Sequence, residues 1–122
     1  EESEVCDRLT AACFEAGLMP PNEKSLRLTL TVAPDLVSQM IKRLIRDQVL
    51  VKIEDLIFHR ETLETFRKAV KEIKAGATEP VSIEVGTFKE RFKITRKYAI
   101  PLLGYLDRER VTRRVGNTRV VL

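Results

Sequence analysis

The apolar residues Val5, Leu9, Ala12, Cys13 and Ala16 recur at three- and four-residue intervals and predict a first helix, which Gly17 and the pair Pro20-Pro21 bring to a stop. Asn22 is placed to cap a short second helix running from Glu23 to about Leu28. Pro34 suits the first turn of a third helix, because that amide has no helical partner, and Leu36, Val37, Met40, Ile41, Leu44 and Ile45 form its apolar stripe to about Asp47. Val49 to Ile53 then alternates, Glu54-Asp55 reads as a tight turn, and Leu56, Ile57 and Phe58 return as a second strand.

The pattern then begins again. Leu63, Phe66, Ala69, Val70 and Ile73 predict a helix over 61–75, with Gly76 suited to a left-handed cap. Pro80 to Ile83 reads as a short strand, and Thr87 as the cap of a helix carrying Phe88 and Phe92 on one face. Thr95 caps a further helix to Arg108, in which Pro101 removes one backbone bond and is expected to produce a kink or a loosened first turn. Val111 to Val115, the turn Gly116-Asn117 and Arg119 to Leu122 form a second hairpin.

Three helices followed by a two-stranded hairpin is the order of a winged helix, with a helix-turn-helix and a wing. The chain is therefore expected to be mostly α with small β-hairpins, an α+β chain of tandem winged-helix domains over 1–60 and 61–122. The helix starting at Glu61 leaves the first wing directly, which predicts a fixed tandem without a flexible linker.

Charge changes this picture from a fold to a partner. Residues 86–122 hold ten Lys/Arg against three Asp/Glu, whereas the rest of the 122-residue chain holds twelve against fifteen, so a net charge of +4 conceals a strongly basic end. Charge gathered on one module attracts polyanions and releases their counterions on contact, and nucleic acid is the first partner it implies. No apolar run approaches the roughly 18 residues of a membrane span, and the opening EESEVCDRL lacks the regions of a signal peptide. The expectation is a cytoplasmic protein with no membrane partner. A start without Met suggests a boundary within something longer.

Catalytic chemistry finds no foothold in the pattern. There is no Ser/His/Asp or Cys/His order, no GxxxxGK[ST] loop and no HExxH motif, so no catalytic residue and no enzyme activity is expected. Cys6 and Cys13, separated by about 10.5 Å along a helix, cannot form a disulfide and are expected to be buried structural thiols. His59 has no companion ligands, so no metal site is expected.

The candidate interface is the basic end. Arg96, Lys97 and Tyr98 fall in the first turn of the last helix, where free backbone amides attract phosphate, arginine forks onto phosphate or guanine, and tyrosine can stack on an unpaired base or pack inward. Arg113, Arg114, Asn117 and Arg119 lie on the second wing, with strand alternation sending Arg113 and Arg114 to opposite faces. Lys89, Arg91 and Lys93 on the preceding helix are further backbone-contact candidates, or simply a solvated face.

The string TRKYAIPLLGYLD over 95–107, followed by VTRRVGN over 111–117 and RVVL over 119–122, resembles the C-terminus of the bacterial selenocysteine-specific elongation factor (SelB) family. The stretch from Ala16-Gly17-Leu18 to Pro21 and the run Leu56-Ile57-Phe58-His59-Arg60 resemble the preceding winged helix of the same family, so the likeness covers the whole chain. It implies RNA binding to the selenocysteine insertion (SECIS) hairpin of a messenger RNA by Arg96, Lys97, Tyr98, Arg113, Arg114, Asn117 and Arg119, for selenocysteine incorporation at UGA codons. It also implies that GTP, Mg, selenocysteinyl-tRNA and the ribosome are engaged through a translation-factor portion absent here, leaving these units without a cofactor. Gly104 stands where that family suggests Glu, and Asn117 where Asp is common. Two rivals follow from the fold alone: a DNA-binding winged-helix transcription regulator, which places its third helix in a major groove, and a protein-interaction scaffold. Nothing in the pattern calls for an obligate dimer, and a monomer is expected.

Overall fold

A computed structural model describes residues 2–122, with element order α1 (Glu2–Ala16), α2 (Glu23–Thr29), α3 (Pro34–Arg46), β1 (Leu50–Ile53), β2 (Leu56–His59), α4 (Arg60–Ala75), β3 (Ser82–Glu84), α5 (Val85–Phe92), α6 (Arg96–Arg108), β4 (Thr112–Val115) and β5 (Thr118–Val121). The chain divides into two compact units, one ending at Leu63 and the other spanning Glu64–Leu122, so the division falls inside α4. Each unit is a winged helix.

In the first unit the apolar stripes converge on one core of Val5, Leu9, Cys13, Leu26, Val37, Ile41, Leu50 and Ile57. Full burial of each of the larger aliphatic side chains is worth about 1.5–3 kcal/mol, which is why three short helices and a hairpin suffice. Gly17 takes φ +60 just beyond α1 and Asn22 accepts a 2.8 Å bond from the Ser25 amide, as the spacing predicts. All four residues of β2 are buried, so the strand is covered on both faces rather than alternating.

The second unit repeats the plan with one strand more. Its sheet has the order β3-β5-β4, all antiparallel, with Glu84 opposite Thr118 and Thr112 opposite Val121. In the first unit the equivalent third strand shrinks to a single bridge between Asn22 and Leu56, with the Ile57 amide donating to the Pro21 carbonyl. Pro20 and Pro21 have no amide hydrogen to give a ladder, which limits that edge to the one bond. Below the second sheet, Phe66 meets Phe88 and Phe92 edge-on at 5.8 and 5.0 Å, anchoring α4 against α5.

Both recognition-type helices are followed by the same corner. After α3, Gln48 adopts φ 63 and the Val49 amide bonds the Leu44 carbonyl at 2.9 Å; after α6, Arg110 adopts φ 60 and the Val111 amide bonds the Leu106 carbonyl at 2.9 Å. These are left-handed caps closed by a six-residue backbone bond, occupied here by residues other than glycine.

Local expectations need correction at five points. Gly76 is not left-handed; among the described glycines only Gly17 and Gly116 have positive φ. Thr87 lies inside α5, whose cap position is taken by Glu84, because the β3–β5 pairing holds the chain extended up to that residue. The strand over 80–83 begins instead at Ser82, and the last strand is Thr118–Val121 rather than 119–122. Thr95 does occupy the cap position of α6 but makes no side-chain bond there. The helix continues through Pro101, which is buried.

Candidate nucleic-acid interface

The start of α6 is an open, positive helix end. Thr95 contributes only its carbonyl, accepting from the Tyr98 and Ala99 amides at 3.1 and 3.0 Å, so the Arg96 and Lys97 amides have no backbone partner within the helix. The macrodipole adds to the field that these two exposed cations make, with no acidic residue in that turn to offset it. Tyr98 is half-buried, and the Lys97 ammonium lies over its ring, 5.4 Å from the centre, in a cation–π contact.

Lys93 belongs to the same surface because of the turn that precedes α6. It caps α5 at φ 55, with its own amide turned back to the Glu90 and Lys89 carbonyls and the Ile94 amide bonded to the Lys89 carbonyl at 3.0 Å. Ile94 is buried beneath, which leaves Lys93 exposed two residues before the α6 cap. Arg91 is exposed and Lys89 half-buried on α5.

On the wing, pairing registers decide which arginines are available. Thr112, Arg114, Arg119 and Val121 share the face turned to α6, whereas Arg113 and Val115 lie on the other. Arg113 and Arg114 therefore do point to opposite faces, yet both are exposed, since Arg114 sits next to the tip, beyond the core, with its Nε bonded to the Gly116 carbonyl at 3.1 Å. Asn117 is exposed at the tip.

Arg119 departs from the expected interface. It is 9% exposed, opposite Ile83, and its Nε and Nη2 each lie 3.4 Å from Asp107 Oδ2. The other oxygen of Asp107 accepts a 2.6 Å bond from Thr112. An inward arginine needs such a partner, because a charge taken from water costs several kcal/mol unless paired. This buried bridge joins the end of α6 to both strands of the wing, so Arg119 positions the wing and does not present its own charge. Composition alone could not separate it from its exposed neighbours; the signal was its inward register in the strand together with the acidic Asp107 at the helix end.

The residues that reach the surface thus form a helix-start group of Lys93, Arg96, Lys97 and Tyr98 and a wing group of Arg113, Arg114 and Asn117. Arg108 and Arg110, exposed at the far end of α6, add positive charge that the spacing of motifs did not single out. Among the described residues no group of three His, Cys, Asp or Glu side chains is placed to hold a metal ion, and no helix is long and apolar enough to cross a membrane.

Residues 77–121 match the family model described as the winged helix of elongation factor SelB. A selenocysteine-specific elongation factor of Desulfomicrobium baculatum is 29% identical over 107 residues, covering 88% of this chain and 17% of its own length. The chain thus spans about a sixth of the length of that curated relative. Among solved structures, the mRNA-binding domain of elongation factor SelB from E. coli, in complex with SECIS RNA, superposes with a TM-score of 0.76 at 20% identity, over 99% of this chain and 97% of that one; at that identity the likeness is one of fold. The bacterial selenocysteine-specific elongation factor EF-Sec superposes with a TM-score of 0.75 at 28% identity, over 98% of this chain and 18% of that one. The second winged helix thus matches the winged-helix model of elongation factor SelB, and the chain as a whole is similar to a part of the selenocysteine-specific elongation factors.

Proposed function

We propose that the second winged helix binds the SECIS hairpin of a messenger RNA, and that the chain is the mRNA-binding portion of a translation elongation factor that inserts selenocysteine at UGA codons. The observation that carries this reading is the uncapped start of α6, where Arg96 and Lys97 are exposed beside free amides and the half-buried Tyr98. The deep groove of an A-form stem is too narrow to admit a helix, so a helix end flanked by a wing suits a stem backbone with unpaired bases above it. In this reading Arg96, Lys97, Arg113, Arg114 and Asn117, with Lys89, Arg91 and Lys93 as flanking backbone contacts, position the RNA, and Tyr98 stacks on a base. Arg119 acts on the RNA only by holding the wing.

These units are proposed to be non-catalytic and to act as a monomer in the cytoplasm without a cofactor. GTP, Mg, selenocysteinyl-tRNA and the ribosome belong to the remainder of the relatives' length. The charge of the first unit, with eight Lys/Arg and eleven Asp/Glu over residues 1–63, supports a role other than RNA contact.

Fluorescence anisotropy at near-physiological salt tests the reading with a bacterial SECIS hairpin, its loop-scrambled version and duplex DNA of equal phosphate count. Selective binding of the intact hairpin is expected. Equal weak binding to all three would reduce the basic end to a general polyanion surface, and preference for DNA would move the function to transcription.

A further inference from the structure

The first unit carries an open groove of about 350 Å³ that the RNA reading leaves unused, lined by Asp7, Thr10, Ala11, Phe14, His59 and Glu61. Its chemistry is specific. Phe14 is 53% exposed although it is a large aromatic, and its ring is held against the His59 ring edge-on at 5.0 Å and 72°. His59 itself is only 9% exposed, and its Nδ1 accepts a 3.0 Å bond from the Glu61 amide. That bond places the proton on Nε2, at the far edge of the ring, where it is available to donate to a ligand in the groove. Neither Asp7 nor Glu61 has an ion-pair partner among the described residues, and Thr10 is already spent on the Cys6 carbonyl at 2.8 Å.

A fixed aromatic face, two carboxylates without ion-pair partners and one available imidazole N–H form a complementary set. The carboxylates take a cation, the aromatic face takes its aliphatic stem, and the imidazole N–H takes a carbonyl. A phosphate chain would meet two negative charges here, and an apolar helix would leave the carboxylates and Nε2–H unsatisfied. We propose that this groove docks a basic peptide segment of a partner protein, with an arginine or lysine side chain lying over Phe14 between Asp7 and Glu61 and a backbone carbonyl accepting from His59. The first winged helix is then a protein-contacting module, independent of whether the second binds RNA.

The test is an NMR titration of the isotope-labelled chain with N-acetyl-Leu-Arg-Leu-amide and, separately, N-acetyl-Leu-Glu-Leu-amide. Saturable shifts at Phe14, His59 and Glu61 are expected with the arginine peptide only, at an apparent Kd of about 1 mM, since so small a ligand makes few contacts. The double variant Asp7→Asn with Glu61→Gln should weaken it roughly fivefold or more, the size expected from two partly exposed ion pairs. Phe14→Ala, at an exposed position, should do the same with the fold retained in the same spectra. No saturable response up to about 10 mM, an equal response to the glutamate peptide, or full binding by both variants would overturn the proposal. So would shifts at these residues that arise on concentrating the protein alone, which would make a second copy the occupant.

Discussion

Single side chains in this protein differ in function according to the register in which they sit. Arg113, Arg114 and Arg119 are three arginines of one hairpin, yet two are exposed and one is 9% exposed against Asp107. If Arg96 and Lys97 each hold a phosphate, Arg96→Ala or Lys97→Ala should weaken hairpin binding and lower the slope of log K against log salt by about 0.7–0.9. An unchanged slope in both variants would remove them from the interface. Gly104, in the middle of α6, has φ outside the left-handed region, and a Cβ there would meet only the end of the Arg108 side chain at 3.5 Å. Gly104→Ala should therefore raise stability by about 0.5–1 kcal/mol, read as a higher denaturation midpoint.

Cys13 supplies a pH signature at the same scale. Burial pushes its thiol up from 9.0 to about 11. The folded state thus keeps a proton that the unfolded state loses, and the unfolding free energy should be unaffected below about pH 9 and fall as pH rises from there through about pH 11. Cys13→Ala should remove that part of the alkaline dependence, measured by denaturant titration across the range. Cys6 is only half-buried, so it and not Cys13 should react first with an alkylating reagent.

At the scale of elements, the bond set around Asp107 is what makes a helix and a hairpin into one surface. A strand of four residues at the edge of a sheet has little to hold it, and here both strands are tied to the helix end through Thr112 and Arg119. Arg119→Met should cost about 1–3 kcal/mol, because it leaves Asp107 half-paired in a partly buried place, and should weaken RNA binding through the wing. Arg113→Met, exposed on the opposite face, should leave stability within about 0.5 kcal/mol of the parent while still lowering affinity. Thermal unfolding together with anisotropy separates the two; equal destabilisation by both would contradict the assignment of Arg119 as the strut.

At the scale of the whole chain, the two units share a fold and differ in charge. Residues 64–122 hold fourteen Lys/Arg and seven Asp/Glu, against eight and eleven in residues 1–63. α3 and α6 are both thirteen residues long and end in the same corner, but α3 opens with Pro34-Asp35 and α6 with Arg96-Lys97. A first-turn aspartate neutralises the helix end that an anion would seek, so the repeat keeps the architecture while only one copy suits RNA. A piece spanning 61–122 should accordingly retain most hairpin affinity in anisotropy, and a large loss would assign the first unit a share of the RNA site.

The sequence by itself determined the helices, both two-residue hairpin turns and the basic end, because these follow from periodicity, turn chemistry and local charge, none of which needs a distant neighbour. It also carried the resemblance through the TRKYAIPLLGYLD string. Only the tertiary structure decided where β3 begins, that Glu84 rather than Thr87 precedes α5, and that Arg119 turns inward while Lys93 and Arg114 stay out. Each of those outcomes depends on which strand lies beside which and on where Asp107 arrives from the helix, and pairing between segments distant in sequence is set by the packed core.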